Sequence, residues 1–147
     1  MEQTQSKAPA ARRPESPWVE VRQSLPGRVA AISPFVNQLM SFIRRFFQSG
    51  GSTKGAEDNI EIALREALSN AILNRDLESV DTRVSVSCRC TMDGEVRIRV
   101  PAFNTPDGDG RDLDQGRGLC LLKSLMDEVA LEAHGNVIMM RKRLRAA

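Results

Sequence analysis

A chain of 147 residues with net charge +2, no tyrosine and one tryptophan is one domain by length, able to bury roughly two-thirds of its unfolded surface without disulfide staples. Both charge signs are interspersed and the longest basic run is Arg141-Lys-Arg-Leu-Arg145, which argues against direct nucleic-acid binding as the main task, as does the lack of aromatics for stacking bases. Three cysteines without framework spacing imply a reducing compartment, no apolar run approaches the roughly 18 residues that cross a bilayer, and the N-terminus has no signal-peptide core; the expectation is a cytoplasmic protein with no membrane partner.

Residues 1–17 hold Gln, Ser, Ala, Arg and three prolines with no apolar period, so they are expected to be a disordered tail before an ordered domain at 18–147. Trp18–Arg22 suits an edge strand, with a turn at Leu25-Pro26-Gly27. Ser33-Pro34 reads as an N-cap and first helical residue, opening a helix to about Gln48 whose buried stripe is Phe35, Leu39, Phe42, Ile43 and Phe46. Gly50 and Gly51 end it. A second helix follows from Glu57 to Asn74, with Ile60, Ala63, Leu64, Ala67, Leu68 and Ala71 on one face. Val80–Met92 alternates as a half-exposed strand, Asp93-Gly94 makes a hairpin turn, and Glu95–Val100 is its partner. A Gly- and Asp-rich segment from Phe103 to Arg117 precedes a short helix over about Gly118–Met126. Glu128–Ala133 and Val137–Leu144 then form a last hairpin about His134-Gly135-Asn136. The order predicts an α+β fold: a two-layer sandwich with an antiparallel-dominated mixed sheet and helices on one face.

Several chemistries are set aside by spacing. Cys88-Arg-Cys90 puts two thiols on one strand face, but Cys120 and His134 have no ligand-like spacing to them, so these cysteines read as small buried hydrophobes. Asp107 to Asp114 resembles a calcium loop until position five falls on Arg111 and position twelve on Gly118. Two features survive. Glu66 and Asn70, four apart, lie on the rim of the second helix's apolar face, where they could share a metal ion, a water or a phosphate; a solvated helix flank is the plain alternative. Gly116-Arg-Gly118-Leu119 directly before an apolar helix would leave first-turn amides open to an anion, unless the glycines simply permit a tight helix entry.

Together, this order of elements resembles the Bergerat-type ATP-binding fold of histidine kinases and gyrase-like ATPases. Within that superfamily the chain is most similar to the bacterial anti-sigma factor/serine protein kinase family. Glu66-Ala-Leu-Ser-Asn70-Ala resembles the family's N-box, Gly116-Arg-Gly-Leu its glycine-rich box, and Leu125-Met-Asp-Glu-Val129 its continuation, over about Trp18–Leu144. The resemblance implies ATP and Mg2+ as cofactors, with Asn70 the magnesium ligand and Glu66 the general base. Gly116, Arg117, Gly118 and Leu119 would cradle phosphates, residues 104–117 would form a lid, and Asn74 would stand where the family commonly has histidine. It further implies a sigma factor and an anti-anti-sigma antagonist as partners, phosphorylation of a serine of that antagonist, and a homodimer to which the Phe35–Phe46 helix could contribute. One box departs: Pro101-Ala102-Phe103-Asn104 stands where the family has Asp-x-Gly, so the carboxylate that reads the adenine amino group is missing. The alternative is therefore a non-catalytic partner-switching module with a degenerate ATP site. The catalytic part of a histidine kinase fits poorly, since the only histidine, His134, falls in a C-terminal hairpin.

Overall fold

The structure, a computed structural model, describes residues 17–47, 54–73, 83–102 and 111–145. Residues 1–16 of the expected tail, residues 104–110 of the expected lid, and Asn74 lie outside the described residues. Five strands, β1 (Trp18–Pro26), β2 (Arg83–Thr91), β3 (Glu95–Pro101), β4 (Glu128–Glu132) and β5 (Val137–Arg143), form one sheet in the order β1-β2-β3-β5-β4, and every pairing is antiparallel. Three helices, α1 (Ile32–Phe46), α2 (Lys54–Leu73) and α3 (Arg111–Leu125), pack on the face carrying the alternate apolar residues Val84, Val86, Cys88, Cys90, Val96, Ile98 and Val100, all buried. Period two in the strands and three to four in the helices therefore meet in one core, as an α+β sandwich requires.

Several boundaries differ from the sequence expectation, and three of the differences have a packing reason. β1 continues to Pro26 instead of ending near Arg22, because its nine residues pair one-to-one with all of β2 and Leu25 is only 2% exposed. The first helix begins at Ile32, entered through a 3-10 turn at Val29–Ala31, so Ser33 is not its cap. Ile32 is itself buried and extends the stripe Phe35, Val36, Leu39, Met40 and Ile43, while Pro34 falls in the first turn, where its missing N–H costs nothing. Ser33 Oγ instead accepts a 2.9 Å hydrogen bond from Arg65 Nη1, tying α1 to α2. The third helix starts at Arg111 rather than at Gly118, and so takes in the last residues of the expected lid. No proline follows Pro106, and the two helical glycines, Gly116 and Gly118, cost only about 1 kcal/mol each, so a docked apolar face can propagate the helix backwards.

The hairpins carry the backbone strain. Gly94 in the β2–β3 turn has φ +107°, and a Cβ there would approach Arg145 Cβ to 2.8 Å, so glycine is required twice over. Between β4 and β5, Ala133 and His134 have φ of 52° and 58°. A non-glycine residue held there costs about 1–2 kcal/mol, against which added glycine loses about 0.4–1 kcal/mol through the unfolded chain. Ala133→Gly is therefore expected to raise the thermal midpoint; a lower midpoint would show that this turn is unstrained.

Both strand cysteines are in the core, at 1% and 0% exposure, as their alternation predicts. The neighbouring Cys90, with burial, pushes the Cys88 thiol well up, which keeps it protonated and unreactive. The opposite face of the sheet carries charge. Glu20 pairs with Arg22 at 3.0 Å and Arg89 at 3.2 Å, Arg99 with Glu132 at 2.8 Å, and Arg141 with Glu128 and Glu95 at 2.8 and 3.0 Å. Arg22, and then Arg89, hold the Glu20 carboxyl below its ordinary range; Arg99 does the same for Glu132.

Candidate functional site at the contact of α2 and α3

Ile60, Ala63, Leu64, Ala67, Leu68 and Ala71 are all buried, which fixes the rotation of α2 about its axis. That rotation leaves Glu66 and Asn70 half-buried at the rim, one turn apart. Asn70 Nδ2 donates to Glu66 Oε2 over 3.3 Å. The bond engages the amide nitrogen and leaves the carboxamide oxygen as the atom available to a hard cation.

Helix α3 meets this pair through Gly118. A Cβ at that position would lie 2.9 Å from Asn70 Nδ2 and 3.4 Å from Glu66 Oε2, so any larger residue would displace the Asn70 carboxamide. Gly118, Leu122 and Met126, spaced four apart, are buried together, and Leu119 packs partly against the core. The two motifs, separated by more than forty residues in sequence, are thus in direct contact. Gly116 and Arg117 lie within α3 and not at its start. The open first-turn amides expected at 116–119 are consequently inside a continuous helix, because that helix is longer than expected. What the sequence reading missed was the role of Gly118 as a contact residue; its place on the Leu122–Met126 stripe was the available signal.

Ala102 closes the picture at the end of β3. Its N–H donates to the Asn136 carbonyl at 2.8 Å, and its methyl packs partly against the core. No side-chain acceptor exists at this position. A depression of about 260 Å³, lined by Arg22, Ser85, Ser87, Arg99, Pro101 and Val137, lies on the charged face of the sheet and so is not part of the Glu66 site.

A family model described as a histidine kinase-like ATPase domain matches residues 31–142, from the start of α1 almost to the end of β5. The chain belongs to the histidine kinase-like ATPase domain family. No curated protein matches it. Among solved structures it is similar to the RsbU and RsbW domains of Rv1364c from Mycobacterium tuberculosis, with a TM-score of 0.60 and 17% identity; the likeness covers 88% of this chain and 34% of the other. At that identity the likeness is one of fold, and this chain spans about a third of the other's length.

Membership in a histidine kinase-like ATPase domain family implies ATP, typically with Mg2+. The donor set fits. Magnesium commonly takes one or two protein oxygens and completes its shell with phosphate and water. The Asn70 carboxamide oxygen would be such a group, and the Gly118 backbone, free of a Cβ, lies beside it.

Proposed function

We propose that this histidine kinase-like ATPase domain is an anti-sigma regulatory factor that phosphorylates a serine of an anti-anti-sigma antagonist at the expense of ATP. The observation that carries the reading is the contact of Glu66, Asn70 and Gly118, three residues of two motifs brought to one point. ATP with Mg2+ supplies the transferable phosphoryl group when bound. The chain's own residues position and deprotonate: the Asn70 carboxamide oxygen binds the cation, and a Glu66 carboxylate oxygen takes the proton of the attacking serine hydroxyl. The Asn70 amide, by donating to Glu66, orients the base as well as engaging the metal. Likeness in fold to a chain whose solved portion includes an RsbW domain supports a sigma factor and its antagonist as the partners.

Ala102 favours a second reading, a partner-switching module with a weakened nucleotide site. The missing hydrogen bond to the adenine amino group is of the charge-assisted kind, about 1.5–3 kcal/mol, or roughly tenfold to a hundredfold in affinity. Ala102→Asp, made together with Asn104→Gly to restore the family's box, is expected to tighten ATP by that factor and to leave GTP unchanged. Titration calorimetry of the two nucleotides reads it. Equal tightening of both, or wild-type protein that already prefers adenine strongly, would show that another group reads the base.

A further inference from the structure

Among the described residues the three helices lie on one face of the sheet, and on the other the charges do not balance around the depression of about 260 Å³. Arg22, Arg83, Arg89 and Arg99 stand there against Glu20 and Glu132. Glu20 is shared by Arg22 and Arg89, Glu132 engages Arg99, and Arg83 donates to the hydroxyl and carbonyl of Ser24, with no carboxylate among the described residues. The surplus is therefore two positive charges. The register of the strands places them. Arg22 pairs with Ser87, and Ser87 with Arg99, so the three form one row across β1, β2 and β3. Adjacent strands are about 4.8 Å apart, which sets the two arginines roughly 9–10 Å from each other with a serine between them. Ser87 and Ser85 make a floor between arginine walls, and Pro101 and Val137, paired across β3 and β5, close one end with apolar surface.

Both walls keep donors to spare. Arg99 gives Nε and Nη2 to the two oxygens of Glu132, at 2.8 and 3.3 Å, which fixes the plane of its guanidinium and leaves the Nη1–Nη2 edge for a ligand. Arg22 gives Nε to Glu20 at 3.0 Å and keeps the same edge; its side chain is 82% exposed, so it can fold over a bound group. Neither Ser85 nor Ser87 makes a side-chain hydrogen bond among the described residues. Two guanidinium edges and two hydroxyls converging on one point are more donors than the two oxygens of a carboxylate can share. A phosphate monoester brings three acceptor oxygens and a charge of about −1.5 to −2 at neutral pH, which also matches the surplus.

We propose that this depression binds a phosphate dianion, carried on a small phosphate monoester, between Arg22 and Arg99 over the hydroxyls of Ser85 and Ser87. A volume of about 260 Å³ holds more than the oxyanion alone, since one water takes about 30 Å³. The remainder lies against Pro101 and Val137, where a short carbon body finds an apolar wall. Arg99, held by Glu132, is the fixed side of the site and Arg22 the closing side. The site is independent of the Glu66 and Asn70 site, which lies on the helix side of the sheet.

Titration of the full chain with glycerol 3-phosphate and with inorganic phosphate, followed by nitrogen–proton correlation spectra, tests this. Saturable shifts are expected at millimolar ligand in the amides of Ser85 and Ser87 and in the Arg99 Nε–H signal, with the amides of Glu66, Asn70 and Gly118 unmoved. Tighter binding of the ester assigns its carbon body to the apolar wall; equal binding of the two makes free phosphate the occupant of the same oxyanion site. Arg22→Gln is expected to weaken either ligand about tenfold, the low end for a charge-assisted bond because Arg22 is exposed, and to leave the heat of ATP with Mg2+ unchanged. Ser87→Asp, which sets a carboxylate on the floor, is expected to abolish the shifts. The dispersion of the same spectra shows that each variant is folded. Absence of saturable shifts at positions 85, 87 and 99, or wild-type phosphate affinity in folded Arg22→Gln or Ser87→Asp, would overturn the proposal. Because the ATP titration is read separately, its failure and the failure of this site are distinguishable.

Discussion

Glu66→Gln is expected to lower serine phosphorylation by about a hundredfold to ten-thousandfold, the usual contribution of a positioned proton acceptor, with nucleotide affinity changed little. The substituted side chain has the same shape, and its amide oxygen can still accept from Asn70 Nδ2, which now spans 3.3 Å to Glu66 Oε2. The half-buried place of Glu66 on the rim of α2 means that thermal melting should stay close to wild type. Phosphate transfer from ATP to the antagonist, followed by mass change on the acceptor, is the measurement. Transfer at the wild-type rate would assign the base elsewhere; loss of ATP binding together with transfer would make Glu66 a binding group instead.

Leu122→Ala carries the largest expected cost to stability. Leu122 is 0% exposed on the buried stripe that seats α3 against α2, one turn after Gly118. Truncating a leucine so enclosed removes about 2–5 kcal/mol, with the spread set by how far the surroundings collapse. Part of that cost should appear locally, since α3 has the glutamine-glycine-arginine-glycine stretch in its middle and little propensity of its own to remain helical. Chemical denaturation reads the global term, and amide exchange along Arg111–Leu125 relative to α2 reads the local one. A variant destabilised by less than about 1 kcal/mol, below the range for such truncations, with unchanged exchange in α3, would contradict the view that this stripe holds the glycine-rich motif against Glu66 and Asn70.

Much of this arrangement was legible in the residues. The stripe from Ile60 to Ala71 set both the existence and the rotation of α2, and hence the rim position of Glu66 and Asn70, because an apolar face can be satisfied in only one orientation. Alternation in 84–90 and 96–100 likewise assigned the buried face of the two central strands. The boundaries were harder to read where tertiary packing outweighs local signals. Ser33-Pro34 looks like a helix start, yet burial of Ile32 moves the start upstream; Gly116 and Gly118 look like a helix entry, yet the docked face of Leu122 and Met126 carries the helix back to Arg111. The contact of Gly118 with Asn70 was not legible as a distance, since nothing in the sequence states how near two helices approach until the small residue between them is known to face inward. Nor did a strong turn signal announce the left-handed Ala133, a residue type that seldom adopts that conformation.

The central claim is that Asn70, held by Glu66 and backed by Gly118, is the magnesium-dependent nucleotide site. Titration calorimetry of ATP into the full chain, with and without Mg2+, and into Asn70→Ala under the same conditions, addresses it directly. The account predicts weak but measurable heat that requires Mg2+ in the wild type, and its disappearance in Asn70→Ala, whose thermal midpoint should stay near wild type because Asn70 lies outside the buried stripe. ATP binding of equal strength in the two proteins, or binding indifferent to Mg2+, would contradict it.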